Sequence, residues 1–253
     1  MTTPYYQDET VTLWHGDFRD VLPSIGQTFD AIVTDPPYGE TSLEWDVWPA
    51  GWPAAVAPFA RSMWCFGSMR MFLDRRDDFT GWKLSQDVVW EKHTGTSLAN
   101  DRFRRIHEHA LHWYQGAWGD VHHETPRVKR EGPKVARVVT NYETPAYTQG
   151  AKAGRFWEDD GARLAPSVMR ARTMHRQGAI NATQKPTPVV EPLIAYAVPP
   201  GGTVLDIFAG SASTGIAARN VGRHAVLIEK REAQCESAAR RLSQGVLDLG
   251  GIA

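Results

Sequence analysis

Phe29-Asp30-Ala31-Ile32-Val33-Thr34-Asp35-Pro36-Pro37-Tyr38 decides the fold class, because it reads as a buried strand that ends abruptly in chemistry. Its apolar and β-branched residues favour a strand inside a sheet. Two consecutive prolines then fix φ twice and remove two backbone donors, so neither helix nor sheet continues beyond this point. Asp35, Pro36, Pro37 and Tyr38 thereby offer a carboxylate, two carbonyls and an aromatic ring at the mouth of a sheet, where open α/β sheets bind ligands. That set suits an amino group on a flat ring: the carboxylate and a proline carbonyl accept its N–H bonds while the tyrosine stacks. The plainer reading is a strand-ending turn, since Asp-Pro and Pro-Pro pairs commonly punctuate loops.

A second stretch helps to separate the two. Thr203-Val204-Leu205-Asp206-Ile207-Phe208-Ala209-Gly210-Ser211-Ala212-Ser213-Thr214-Gly215 runs from a β-branched strand through a small-residue loop into the helix-like segment Ile216-Ala217-Ala218-Arg219-Asn220. Gly222 supplies a stop, and the next strand, Ala225-Val226-Leu227-Ile228, ends in Glu229. Small residues let a ligand approach the backbone, and a carboxylate about 20 residues beyond such a loop is placed to accept both hydroxyls of a ribose. Gly210-x-Ala212-x-x-Gly215 is a degraded dinucleotide fingerprint, and loops of this kind are often only packing devices between helix and strand. Its meaning comes from sharing a chain with Asp-Pro-Pro-Tyr.

Together these segments resemble the amino-group-directed DNA methyltransferases that make N6-methyladenine or N4-methylcytosine. The order resembles their permuted, β-type arrangement, with the catalytic tetrapeptide ahead of the cofactor loop. Gly16-Asp17 upstream, Ser85–Lys92 ending in Trp90-Glu91-Lys92, and His107-Glu108 before Ala110-Leu111-His112-Trp113-Tyr114 match further family segments. So do Gln184-Lys185-Pro186 and Pro199-Pro200-Gly201-Gly202. Only the region from roughly residue 115 to 180 falls outside the likeness.

The resemblance implies a doubly wound, mostly parallel α/β sheet, S-adenosylmethionine as cofactor, and methyl transfer to the exocyclic amine of a base in double-stranded DNA. It gives catalysis to Asp35, Pro36, Pro37 and Tyr38. It puts Glu229 on the cofactor ribose and Asp17 on the adenine amine. Gly210 with Ser211, Ser213 and Thr214 would line the methionine end, Lys185 and Thr187 would face its carboxylate, and Asp206 and Phe208 would flank the loop. One position departs from the family's usual Phe-x-Gly-x-Gly: the second glycine is Ala212, whose methyl would crowd the methionine end. Asp35 itself points to adenine N6, since the family's cytosine enzymes more often carry Ser there.

Length and composition agree with this picture. A chain of 253 residues can bury most of its apolar surface as one large domain, or as one domain with an insertion. No stretch of 18 apolar residues offers a membrane span, the N-terminal segment with Asp8 and Glu9 does not read as a secretory signal, and the two cysteines, Cys65 and Cys235, suit a reduced cytoplasmic setting. The net charge of −1 hides an asymmetry. From Lys92 to Lys185 there are 16 Lys/Arg against 9 Asp/Glu, a balance of +7, which leaves −8 for the remainder. We expect residues 1–92 and 185–253 to form the catalytic and cofactor-binding domain. Residues 93–184 would then hold the end of the catalytic sheet, to about 115, and a basic target-recognition insertion. Within it Arg127, Lys129, Arg130, Arg170 and Arg172 would hold phosphates while Tyr142, Tyr147 and Trp157 stack on or wedge between bases. The alternative is a solvated loop insertion.

Other signals point to ordinary structure. His107-Glu108-His109 invites a zinc reading, but a His-Glu-x-x-His site needs histidine at 111, which is Leu, and the cysteines lack ligand spacing. Alternation from Ile106 to Tyr114 suits a strand instead. Trp45, Trp48 and Trp52 have the spacing of one helix face, and Arg240-Arg241 read as the solvated side of a last helix. Rival functions are a nicotinamide-dependent oxidoreductase, in which Asp-Pro-Pro-Tyr has no role, an RNA or protein methyltransferase, and a silent DNA-binding module. The recognition sequence, a partner restriction endonuclease and dimer formation are left open.

Overall fold

Continuous burial along the central strands shows a sheet covered on both faces. The computed structural model describes residues 3–96, 101, 103–129, 161–172 and 184–244. In chain order they form β1 (Tyr6–Gln7), β2 (Val11–His15), α1 (Phe18–Ile25), β3 (Ala31–Thr34), α2 (Trp52–Val56), β4 (Ser62–Gly67), α3 (Met69–Asp74), β5 (Lys83–Thr96) and β6 (Arg105–Tyr114). There follow β7 (Arg127–Lys129), β8 (Ala162–Leu164), β9 (Val168–Ala171), α4 (Thr187–Ala197), β10 (Thr203–Asp206), α5 (Ser213–Asn220), β11 (His224–Glu229) and α6 (Glu232–Ser243). The chain divides into two units, one made of residues 1–124 and 166–253, the other of 125–165.

In the first unit nine strands make one sheet in the order β1-β2-β11-β10-β3-β4-β6-β5-β9. Strands β2, β11, β10, β3 and β4 run parallel, β6 lies antiparallel between β4 and β5, and β9 is parallel to β5. Ala31, Val33, Trp64, Phe66, Val204 and Leu227 face a core shared with α4, α5 and α6. Their neighbours Ile32, Met63, Cys65, Leu205, Val226 and Ile228 face a second core shared with α1, α2 and α3. Strands buried on both faces read as continuous apolar runs, which is why β3, β4 and β11 look as they do in sequence. Gly215 belongs to this packing, because a Cβ there would come within 2.8 Å of Leu227 Cδ1 and 3.2 Å of Val11 Cγ1.

The tryptophan spacing does not correspond to a helix from 45 to 52. Pro49 and Gly51, the latter in the left-handed region at φ 71°, delay α2 until Trp52. Trp48 and Trp52 are nonetheless buried together, ring centroids 6.0 Å apart, and Trp52 meets Phe79 at 5.9 Å and Phe208 at 5.7 Å edge to face. Both are core residues, and Trp52 packs directly against the loop after β10 through Phe208. Trp45 is exposed, with the Arg231 guanidinium 5.3 Å above its ring.

Strand β9 has no clear announcement in the sequence, yet its register Val89↔Val168 to Lys92↔Ala171 makes it the sheet's edge. The second unit contains the antiparallel pair β7 and β8, with Arg127 opposite Leu164 and Lys129 opposite Ala162. Arg127 and Lys129, two residues apart on a strand, belong to the same face of that pair. Arg130, Tyr142, Tyr147 and Trp157 lie outside the described residues. Among the described residues no helix is long and apolar enough to cross a membrane, and no group of three His, Cys, Asp or Glu side chains could hold a metal ion.

Candidate active site

Parallel strands end in the same direction, so their last residues share a rim. Along it, in sheet order, come Asp17 after β2, Glu229 ending β11, Asp206 ending β10 and Asp35 after β3. Beyond β4 the rim continues with Glu108 of β6, Lys92 of β5 and Arg170 and Arg172 at the end of β9. The left of the rim is acidic and its right becomes basic.

Glu229 is almost fully buried, and Oε2 accepts from Gly210 N at 2.8 Å while Oε1 accepts from Arg231 N at 2.9 Å. Oε1 also receives Arg231 Nε at 3.4 Å, so the open acceptor position is on Oε2, and a second hydroxyl would reach Oε1 by displacing that long contact. Gly210 has φ 48°, and a Cβ there would meet only Phe208 O, at 3.9 Å, so the backbone is open to close approach. A carboxylate beside an uncovered glycine loop fits the ribose of an adenosine cofactor. Phe208 stands between Phe18, at 5.5 Å edge to face, and Trp52. Asp17 caps α1 by accepting from Arg19 N at 3.0 Å and pairs with Lys230 at 3.2 Å. Its partial burial opposes ionisation, but the Arg19 N–H and the Lys230 charge outweigh it and hold the carboxyl below its ordinary range.

Asp206 turns inward. Oδ1 accepts from Thr34 Oγ1 at 2.7 Å and Phe208 N at 3.1 Å, and Oδ2 from Thr214 Oγ1 at 2.6 Å. Burial pushes its carboxyl up to about 6 despite these donors. It ties the end of β3, one residue before Asp35, to the loop after β10 and to α5. The methyl of Ala212 is likewise turned away from the rim, fully buried in the core with α4 and α5, so it does not crowd the open side of the loop. Ala212 is the single described non-glycine residue with positive φ, 61°, a conformation that costs an L-residue about 1–2 kcal/mol.

Ser211 and Ser213 are held by a residue that sequence reasoning placed on a solvated face. Arg241 Nη1 donates to Ser211 O at 2.8 Å, to Ser211 Oγ at 3.3 Å and to Ser213 Oγ at 3.2 Å. In the amide orientation that satisfies both groups, Gln184 also accepts from Arg241, at 3.2 and 2.9 Å. Arg241 therefore links the loop after β10 to the segment carrying Lys185, whereas Arg240 does face solvent and pairs with Glu236. Thr187 begins α4, two residues after Lys185.

At Asp35, Oδ1 accepts from Tyr38 Oη at 2.6 Å and Oδ2 from Lys185 Nζ at 2.5 Å. Lys185 also lies 3.2 Å from Glu108 Oε2, and Glu108 Oε1 is bonded by Lys92. Burial opposes ionisation of Glu108, yet Lys185 and then Lys92 overcome it and hold the carboxyl at about 2. At Asp35 burial wins over Lys185, and its carboxyl is raised. The loop after Tyr38 is fixed by Asp46, which accepts from Gly39 N, Glu40 N and Thr41 N at 2.9, 3.1 and 2.7 Å. Glu40 in turn bonds Ser68 and pairs with Arg105 at 3.5 Å.

Arg170 is exposed and pairs with Glu91 at 3.0 Å, and Arg172 follows it at the rim. Arg127 Nη2 donates to Ala162 O at 3.2 Å within the second unit, and Lys129 is exposed there. Sequence reasoning missed roles for Glu108, Lys92, Asp46 and Arg241. The His-Glu pair was the signal for Glu108 and the Trp90-Glu91-Lys92 segment for Lys92, and nothing local distinguishes Asp46 or Arg241.

A family model described as DNA methylase, for N6/N4 methyltransferases, matches residues 29–240. The chain is 27% identical over 273 aligned positions to the type II methyltransferase M.ScaI of Streptomyces caespitosus, covering 94% of this chain and 83% of that one. It is 24% identical to the type II methyltransferase M2.LlaDCHI of Lactococcus lactis subsp. cremoris, covering 97% and 94%. Among solved structures, M1.HpyAVI in its SAM complex superposes with TM-score 0.61 at 21% identity, over 92% of this chain and 99% of that one. The cytosine-N4-specific PvuII DNA methyltransferase superposes with TM-score 0.66 at 15% identity, over 99% and 91%.

Proposed function

The chain belongs to the N6/N4 DNA methylase family, and from that premise we propose that it transfers the methyl group of S-adenosylmethionine to N6 of adenine at a specific site in double-stranded DNA. The observation that carries the reading is Asp35, a carboxylate fixed at the sheet rim between the cofactor loop on one side and a basic edge on the other. An exocyclic amine is a poor nucleophile because its lone pair is delocalised into the ring. Asp35 and the Pro36 carbonyl accept its two N–H bonds, localise the pair and aim it, and Asp35 can take up the proton that the amine must lose. Tyr38 stacks on the base, which has to leave the duplex before its amine can reach the rim. Glu229 holds the ribose, and the loop around Gly210 holds the methionine end. When bound, the cofactor supplies an electrophilic methyl on a sulfonium.

Adenine is favoured over cytosine by the residue type at 35: a carboxylate accepts more strongly than a serine hydroxyl and can carry the amine's developing positive charge. Mass spectrometry of nucleosides from DNA treated with the purified protein tests this. N6-methyladenine is the expected product. N4-methylcytosine without it would overturn the base assignment and leave the amino-methyltransferase activity standing.

Arg127, Lys129 and Arg130 are proposed to contact the DNA backbone. Replacing all three by Gln is expected to weaken binding and flatten the dependence of log K on log salt by up to about 2.7, the share of three phosphate contacts. Cofactor affinity should not move. Titrations at several salt concentrations measure the slope, and an unchanged slope would return the cluster to solvated surface.

A further inference from the structure

Asp35 already carries a cation. Lys185 Nζ lies 2.5 Å from Oδ2, and the lysine keeps only 9% of its side-chain surface exposed. An ammonium and a ring amine offer a carboxylate the same thing, N–H donors, and so compete for one acceptor. Lys185 has a second acceptor within reach. Glu108 Oε2 is 3.2 Å away, buried, and without an aligned hydrogen bond of its own, while Oε1 is occupied by Lys92. The distance is that of an ion pair and the alignment is not that of a hydrogen bond, so a small rotation of the lysine completes the contact.

We propose that Lys185 is a positioning residue that keeps Asp35 in its carboxylate form before DNA arrives and passes to Glu108 when the target amine displaces it. The inference rests on the amine-methylation reading given above and changes the place of Lys185 within it, from the cofactor's methionine end to the acceptor of the amine. It also gives the His107-Glu108 pair a use: Glu108 is the parking position that prevents the displaced ammonium from being left buried and unpaired, an arrangement that would be strongly unfavourable.

The charges around Asp35 fix the sign of the expected pH effects. Facing it are Tyr38 on its own loop, Cys65 on β4, Glu108 on β6 with Lys92 of β5 behind it, Asp206 on β10, and Lys185 ahead of α4. Tyr38 and Cys65 are raised well above their ordinary values, chiefly by burial, and stay neutral. Burial raises Asp35 most, Lys185 opposes it and Glu108 adds to it. Removing the positive charge of Lys185 therefore raises Asp35 further, and the carboxylate becomes available only at higher pH. Removing the negative charge of Glu108 lowers Asp35.

The test compares Lys185→Gln, Lys185→Arg and Glu108→Gln with the parent protein. The acid limb of kcat/KM for duplex DNA, read at saturating S-adenosylmethionine so that it reports the DNA-free state, is expected to move up by about 1–3 pH units in Lys185→Gln, the usual effect of losing an opposite charge at this range. Glu108→Gln is expected to move it down, and Lys185→Arg to leave it near the parent position whatever the rate. Opposite shifts from two neighbours are not the signature of a general loss of folding. Calorimetry should give unchanged S-adenosylmethionine affinity in all three. Infrared spectra of the apo-protein supply a readout independent of turnover: Lys185→Gln should show a protonated-carboxyl band that persists to higher pH than in the parent protein and disappears when Asp35→Asn is added. Loss of cofactor affinity in Lys185→Gln with the acid limb unmoved would overturn the proposal and return Lys185 to the methionine end, and so would an apo-protein carboxyl band that titrates as in the parent. Failure of the parent protein to methylate DNA would count against the function itself, and the infrared measurement would still decide the lysine.

Discussion

Asp35→Ala is expected to abolish methyl transfer while S-adenosylmethionine binds almost as tightly as to the parent protein. The loss in kcat should be roughly 10³-fold or more, since the same side chain supplies both the charge-stabilising acceptor and the proton acceptor, each usually worth about 10² or more. Cofactor affinity is spared because the proposed ribose and methionine contacts come from β11 and the loop after β10, not from β3. The variant should also fold. Breaking a buried ion pair ordinarily costs about 3–5 kcal/mol through the orphaned partner, but here Glu108 remains 3.2 Å from Lys185 and keeps that charge compensated. Asp35→Asn preserves the shape and should be nearly as inactive, because an amide can accept but cannot take up a proton. Methyl incorporation into plasmid DNA, with calorimetry for the cofactor, checks both. An inactive variant that has also lost its cofactor would mean that the two halves of the chain have been assigned to the wrong tasks.

How much of this was legible in the sequence depended on distance along the chain. Pro36 and Pro37 act on their own backbone, so the end of β3 and the presentation of Asp35 followed from adjacent residues. The double-sided burial of β3 and β11 likewise followed from runs of apolar residues, and the strand-loop-helix unit around Gly210 from its small residues. Contacts made across the fold left no such trace. Lys185 and Asp35 are 150 residues apart, and a lysine before a proline looks the same whether it faces solvent, a cofactor or another side chain. Arg241 follows Arg240 on one helix, yet the first reaches a backbone carbonyl 30 residues earlier while the second faces water. The tryptophans failed for a different reason. Spacings of three and four imitate a helix, but Pro49 and Gly51 break the segment, and the rings meet because the loop folds back, not because a helix aligns them. Asp46 shows the same limit: an acid in a polar loop carries no mark that three backbone N–H groups converge on it.

Glu229→Ala should have the complementary phenotype, weak cofactor binding with the amine acceptor intact. Two hydroxyls bonded to one carboxylate would contribute at most about 3–6 kcal/mol, at about 1.5–3 for each bond to a charged group. Water can enter the space left by the side chain and replace part of that, so a loss nearer 2–3 kcal/mol is expected, roughly 30- to 150-fold in Kd. Stability should fall as well, because Gly210 N and Arg231 N both lose their acceptor, each at about 1–3 kcal/mol if left unsatisfied. Glu229→Gln separates the two effects. Its amide oxygen can still accept from Gly210 N and hold the loop, but the amide nitrogen cannot accept a hydroxyl and the charge is gone. Calorimetry should therefore give a clear loss of S-adenosylmethionine affinity for both variants, with a smaller fall in melting temperature for Glu229→Gln, where Arg231 N alone loses its acceptor, than for Glu229→Ala, where Gly210 N loses it too. At saturating cofactor, Glu229→Gln should regain much of the parent kcat, since Asp35, Tyr38 and Lys185 lie beyond β10 along the rim. A Glu229→Gln protein that binds the cofactor normally would remove the ribose from β11 and with it the division of the rim into a cofactor side and a base side.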